Sequence, residues 1–315
     1  MSITVRKILS GLGWALVAIT VWSGSLVMLR LGVTTSLNAY DLTMLRFGVA
    51  ALLLAPVALQ RSAEAKRLGI ISIGTMVVAF GAPYVLLIAL AMKSAPAAAA
   101  GALNPGVMAI VSLLLGRAIF GDPVGGLRWA GLAVTAMGIV LFTWAGGAVT
   151  EGHLILVGTG ILWAVYALVV RRAAVPALNA TAIVAVGSAV FYLPVYFLVL
   201  PKQIGAAPLT DILVQAGFQG VLVSVVAIYA FNRSAELLGP LAGASLPALI
   251  PVATLALAVL TLGETPGSVE VASAILVTVG LALILVGRPV AHWMSRRFRR
   301  SSLSDRQRSS PSKRP

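Results

Sequence analysis

The sequence predicts an all-α membrane protein: ten transmembrane helices built as two inverted five-helix repeats, with both termini on the cytoplasmic side. Three observations carry the prediction. Hydrophobic residues make up 59% of the chain and charged residues 10%, where a soluble domain carries about 25% charged residues. The second half repeats the first at an offset of about 141 residues. The basic residues gather in alternate connections between apolar runs.

A bilayer-spanning helix needs about 20 apolar residues, and ten runs meet that length. The first covers 9–30. It is too long for a secretory signal peptide and lacks a cleavage site, so it is read as a span. The second covers 40–59 and begins beside Asp41. The third, 68–91, and the fourth, 95–116, flank Lys93. The fourth is dense in small residues, SAPAAAAGALNPGVMA, and the fifth covers 125–145. The second half follows with 152–171, 179–200, 211–233, 238–262 and 267–287. Its ninth run, LGPLAGASLPALIPVA at the start, has the same small-residue character as the fourth. The runs are continuous rather than alternating, which argues against a β-barrel.

The repeat aligns Gly11 with Gly152, Trp22 with Trp163, Arg30 with Arg171 and Asn38 with Asn179. One residue further on, Pro105 meets Pro247, Gly121 meets Gly263, Asp122 meets Glu264 and Gly138 meets Gly280. Five crossings per copy is an odd number, so the second copy must sit upside down relative to the first. Inverted repeats around a midplane site are a construction plan of secondary transporters. The domain reading is therefore a cytoplasmic N-terminus at 1–8, a first repeat at 9–145, a second at 152–287 and a basic cytoplasmic tail at 288–315, disordered from about residue 301.

Charge sets the orientation. With the N-terminus inside, 19 of the 23 Lys/Arg residues fall in inner segments, while Arg30, Lys93 and Lys202 fall outside and Arg46 lies within a span. That is the positive-inside pattern. Nine of the basic residues lie from Arg288 onward, directly after the last apolar run, so the formal charge of +14 reads as attraction to anionic lipid and not to nucleic acid.

Several function classes are disfavoured. There is no cysteine, and the two histidines, His153 and His292, stand near the ends of apolar runs, so no metal site and no cofactor is expected. No nucleophile motif, phosphate-binding loop or zinc-protease motif occurs, and no acid–base pair is placed for catalysis, so the chain is not read as an enzyme. All nine acidic residues stand at or near span ends. Proton-coupled carriers usually hold an acid or histidine within the membrane, so facilitated export is favoured, with coupling through end-of-span carboxylates left open.

The candidate site residues are polar and aromatic side chains at mid-span. Asn104–Pro105 and Ser245 with Pro247 stand about ten residues into the fourth and ninth spans, roughly half the depth of the ~30 Å core. A proline frees a backbone carbonyl one turn earlier, and interrupted helices at matching places of two halves point to a transporter site. The alternative is that small residues and proline serve helix packing alone. Trp22 and Trp163 are symmetry mates away from the interface where belt tryptophans sit, with Ser25 and Tyr166 one turn further on; Tyr84 and Tyr229 lie deep in the third and eighth spans. Such walls suit a small amphipathic molecule, for example an amino acid with an apolar side chain. Arg46 lies about six residues into the second span. It either snorkels to the outer face, with Asp41 as a partner, or faces the bundle interior.

Taken together these features resemble the ten-helix EamA branch of the drug/metabolite transporter superfamily over residues 10–290. The resemblance is carried by the five-plus-five repeat, by Arg46 before the Ala-rich run through Ala51, and by the segment from Pro251 to Gly263–Glu264, which matches the family's proline-then-GE signature. In the first half Pro105 stands four residues further from its acid, Asp122, than the signature expects. Within the superfamily the chain is most similar to bacterial aromatic amino-acid exporters. That similarity implies a multi-pass protein of the bacterial inner membrane, a monomer or weak homodimer, exporting amino acids and related small metabolites by alternating access. It also implies that the first, third, fourth, sixth, eighth and ninth helices line the path and that the fifth and tenth are scaffold. The expected binding set is Trp22, Trp163, Tyr84, Asn104, Ser245, Tyr166, Tyr229 and Arg46, with Pro105, Pro247 and Pro251 as hinges. Other substrates of the same fold remain open: phosphorylated ones such as nucleotide-sugars or triose phosphates would call for more basic residues than Arg46, and cationic drugs for a buried acid. A membrane assembly or signalling protein without transport is the reading from another class, allowed by the GxxxG pairs Gly121–Gly125 and Gly239–Gly243.

Overall fold

The computed structural model describes residues 3–145, 148–238 and 246–285. Every regular element among them is helical. Helix α1 (Ile3–Thr34) leads into α2 (Ala39–Gln60) through a capping box. Asp41 N–H donates to the Asn38 side chain at 2.8 Å, and Asn38 N–H donates to the Asp41 carboxylate at 3.2 Å. Two otherwise unpaired helix donors are thereby satisfied. Helices α3 (Ser62–Phe80) and α4 (Ala82–Ala91) divide one apolar span, Arg67–Ala91. Helix α5 (Ala97–Phe120) and α6 (Gly126–Ala145) complete the first half.

The second half consists of α7 (Glu151–Ala173), α8 (Ala177–Leu198), α9 (Leu209–Leu238), α10 (Ile250–Leu262) and α11 (Ser268–Leu285). Helices α5 and α10 both end on a glycine in the left-handed region, Gly121 at φ +67° and Gly263 at φ +66°, a conformation that glycine adopts without steric cost. The two aligned acids, Asp122 and Glu264, follow these caps directly. Nine helices among the described residues are long and apolar enough to cross a membrane. The apolar helix of the ninth run is Pro247–Leu262, and residues 239–245 before it lie outside the described ones.

The third and eighth spans depart from the continuous α-helices that the sequence predicts. The third is broken at Gly81, whose backbone is non-helical at φ −93°, ψ −144°. The N–H of Ala82, released by the break, donates to Ser188 Oγ on α8 at 3.0 Å. The eighth span winds as a π-helix from Ala216 to Val226. The two irregularities fall at aligned positions of the two halves, in the stretch that approaches the bundle centre.

Packing repeats with the sequence. α1 packs against α9 and α10, as α7 packs against α3–α4 and α5. α2 lies against α8, α5 against α10, and α2 against α9 as α8 against α3. Exchanging the halves maps this set onto itself. Helices α6 and α11 approach through glycines: a Cβ on Gly280 would meet Gly131 O at 2.8 Å, and one on Gly138 would meet Val277 N at 2.9 Å. Small residues permit this backbone contact, which substitutes for a hydrophobic driving force inside lipid.

The ends of the bundle are tied by polar contacts. At one end Ser36 Oγ donates to Asp211 at 2.5 Å, Asn38 Nδ2 to Pro201 O at 3.0 Å, Gly152 N–H to Ser94 Oγ at 3.1 Å, and Ala97 N–H to Glu264 at 3.0 Å. Buried Asp41 accepts from Tyr196 OH at 2.6 Å and from Gln203 N–H at 3.0 Å. At the opposite end Arg171 pairs with Asp122, and Ser234 Oγ donates to Gly11 O at 3.0 Å.

Candidate functional site

A cavity of about 390 Å³ lies at mid-depth between the two halves, within the size range of small-molecule sites. Its walls come from α1, α2, the α3–α4 span, α5, α7, α8, α9 and the start of the ninth-run helix. Trp22, Arg46, Tyr84, Asn104, Trp163 and Tyr166 all line it, as do Pro105 and Pro247. Residues more than 140 positions apart in the chain thus face one space.

One wall is an aromatic cluster centred on Phe80. Its ring stacks on Tyr166 at 4.4 Å and lies 4.9 Å from Tyr84 and 5.6 Å from Trp163. Phe80 is the last residue before the Gly81 break, so the break determines where this ring points. Facing it, Trp22 packs on Phe231 at 5.3 Å. Buried Asn104 is held by Tyr84 and Thr159: its Nδ2 donates to Tyr84 Oη at 3.1 Å and to Thr159 Oγ1 at 3.2 Å. The amide therefore fixes α5 to the α3–α4 span and to α7.

Arg46 is the one charged side chain among the described residues lining the cavity. It does not snorkel towards Asp41, whose carboxylate is taken up by Tyr196, Asn38 and Gln203. Its guanidinium donates to Gln219 Oε1 at 3.2 Å and to Ser25 Oγ at 3.3 Å. Ser25 Oγ itself donates to Gln219 Oε1 at 3.1 Å, and Gln219 Nε2 donates to Ser25 O at 2.9 Å. Gln219 is fully buried and sits in the π-helical stretch. A guanidinium carries five N–H donors in a fixed fork, and two acceptors use only part of that capacity.

Other expected residues fall elsewhere. Tyr229 does not line the cavity: it is 57% exposed and packs edge-on against Trp14 at 5.3 Å. Ile228 lines the cavity instead, because the π stretch shifts the register of the residues that follow it away from the 3.6-residue period. Pro251 is buried in the first turn of α10, directly after the 3-10 turn Leu246–Leu249, where a proline costs no helical hydrogen bond. Ser245 lies outside the described residues. The carbonyl that Pro105 leaves without its helical donor belongs to Gly101, which is buried against Thr254 of α10 and does not face the cavity. Gln219 and Phe80 were not singled out from the sequence. The pair Gln215 and Gln219, one turn apart within an apolar run, was the signal available for the first; Phe80 has none, since a single phenylalanine in a span is ordinary.

Comparison with known proteins adds a family. The model of the EamA-like transporter family matches twice, at residues 9–144 and 150–286. Those two matches take in nearly all of the helical chain and divide it between Ala145 and Glu151. A solved structure described only as "Crystal structure of protein" aligns with 90% of this chain and 98% of its own, with a TM-score of 0.62 and 21% identity. At that identity the likeness speaks for the fold alone. No curated protein matches the chain.

Proposed function

The chain belongs to the EamA-like transporter family, and on that premise we propose that this multi-pass membrane transporter exports amino acids with aromatic or other apolar side chains, and related carboxylate-bearing metabolites, across a bacterial inner membrane. The observation that carries the reading is the composition of the central cavity. Its described walls are mostly aromatic and aliphatic, with a few hydroxyls, the Asn104 amide, one guanidinium and no carboxylate. Arg46 takes the substrate carboxylate through its remaining donors. The Phe80 cluster and Trp22 hold an apolar side chain, and ring faces receive the ammonium by cation–π contact of about 0.5–2 kcal/mol. A permanently cationic substrate finds no counter-ion here, and a phosphorylated one finds a single arginine.

Alternating access fits the internal repeat. The self-consistent exchange of packing partners between halves supports a two-fold arrangement, five spans per half support its inversion, and the basic-residue bias supports both termini inside. In that arrangement the Asp41 end faces outward and the Asp122 end faces the cytoplasm. The packed glycines of α6 and α11 make those helices scaffold, while the broken third span and the π-helical stretch of the eighth allow the walls to rock around a fixed site.

The test is counterflow into proteoliposomes containing the purified full chain. Labelled phenylalanine, tryptophan, leucine and glycine are compared with a sugar phosphate and a quaternary ammonium compound. The reading expects flux of the apolar amino acids with glycine slowest. Flux confined to the sugar phosphate or to the cation sinks it.

A further inference from the structure

A second cavity, of about 380 Å³, lies beyond the first towards the Asp122 end. Pro105 and Pro247 line both, so the proline pair forms the partition between them. The walls of the second cavity are largely apolar, but Arg128 and Arg171 line it as well and no carboxylate does among the described residues. Arg128 is buried and donates to Pro123 O at 3.2 Å. Arg171 grips Asp122 with both terminal nitrogens, at 2.5 and 2.8 Å, and its guanidinium lies 4.2 Å from the centre of the Phe120 ring.

We propose that this cavity is a second binding station for a carboxylate-bearing substrate, and that Asp122 is the built-in occupant of the Arg171 fork, displaced when a substrate carboxylate arrives. The inference rests on the carboxylate-bearing substrate proposed above. Two parallel N–H donors meeting two oxygens is the arrangement an arginine offers any carboxylate. The pair keeps contact with solvent, Arg171 being 42% and Asp122 22% exposed at the side chain. Ion pairs with that much water contribute little and exchange readily.

The internal repeat supplies a control. Glu264, aligned with Asp122, accepts from Ala97 N–H, and Arg30, aligned with Arg171, donates to Met92 O. At the Asp41 end the aligned acid and base each hold backbone. At the Asp122 end they hold each other, beside a cavity that Arg171 lines. Asp122 stands on the connection after α5 and Arg171 on the last turn of α7, so exchanging the aspartate for a substrate also unties these two helices at that end. Substrate arrival and opening are then one event.

The test uses the purified full chain in detergent and two probes, 3-phenylpropionate and its uncharged amide, with binding read by isothermal titration. Arg46→Gln silences the central station in every protein compared. In that background Asp122→Asn is expected to bind the acid about tenfold more tightly, since it removes an intramolecular competitor, and to leave the amide unchanged. Adding Arg171→Gln is expected to abolish the gain. Gly116→Ala presses on the same pair with all charges kept: its Cβ would stand 3.0 Å from Asp122 Oδ2 and 3.6 Å from Arg171 Nη1, crowding the aspartate in the fork, and it is expected to tighten binding of the acid by less than Asp122→Asn does. If Asp122→Asn and Gly116→Ala weaken the acid or leave it unchanged, or shift acid and amide alike, the pair is only a clamp and the station does not exist. Failure of phenylalanine to bind the unaltered protein overturns the amino-acid reading alone, because the probes carry no ammonium.

Discussion

Replacing Arg46 separates a cavity arginine from an anchor. The structure gives its guanidinium two partners, Ser25 Oγ and Gln219 Oε1. Those partners also bond each other at 3.1 and 2.9 Å, so Arg46→Ala leaves neither a buried amide nor a hydroxyl orphaned. The expected cost to folding is small, about 1 kcal/mol. The cost to transport is larger. A substrate carboxylate stripped of water and left without its charged partner loses about 3 kcal/mol, which is about a hundredfold in affinity. Arg46→Lys keeps the charge but presents one ammonium where the fork served Ser25, Gln219 and the substrate together. A loss of roughly tenfold is expected. The assay is initial-rate counterflow of phenylalanine in proteoliposomes at matched protein incorporation, with thermal unfolding in detergent as the folding control. Full activity in Arg46→Lys refutes the structured-guanidinium argument, and loss of flux that merely tracks loss of folded protein refutes the cavity role.

Three further outcomes follow from the same geometry. Single cysteines introduced into this cysteine-free chain at Lys93 and Lys202 are expected to react with an impermeant thiol reagent from outside the cell, and those at Arg67 and Arg172 only from inside; outside reaction at 67 or 172 breaks the ten-span topology. Gly81→Ala drives a Cβ into Ser188 Oγ and Val77 O, an overpacking expected to cost about 1–3 kcal/mol and to shorten the half-life at elevated temperature in detergent; an unchanged half-life would mean that the break tolerates a side chain. Trp163→Ala and Trp22→Ala are expected to reduce flux of tryptophan and phenylalanine more than that of alanine, and an equal loss for all three would assign these rings to packing.

The sequence made the spans legible because continuous apolarity over about 20 residues has few other meanings. It made the centre partly legible because the two halves report on each other: Trp22 and Trp163, and Pro105 and Pro247, stood out only as pairs, and the structure brings all four to one cavity. What was missed was local backbone irregularity. Depth in the eighth span singles out Tyr229 but does not say which face of the helix it occupies, and Gln219 was overlooked. The π turn from Ala216 to Val226 places Gln219 beside Arg46 and turns Tyr229 out to Trp14. The Gly81 break was written in the sequence but passed over: Gly81 and Pro83, the latter in the first turn of α4, are the residue types that interrupt a helix inside an apolar run. Asp41 looked like a partner for Arg46 on spacing, but the cap it forms with Asn38 and the hydroxyl of Tyr196 claim it first.

The central claim is that one cavity reads a carboxylate at Arg46 and an apolar side chain at the Phe80 cluster. The most direct measurement is competition against labelled phenylalanine counterflow by four unlabelled compounds: phenylalanine, alanine, phenylalaninamide and phenethylamine. The account predicts that phenylalanine competes best, that alanine is weaker for want of a ring, and that both compounds lacking the carboxylate compete at least tenfold more weakly than phenylalanine. Phenethylamine or phenylalaninamide competing as well as phenylalanine would contradict it.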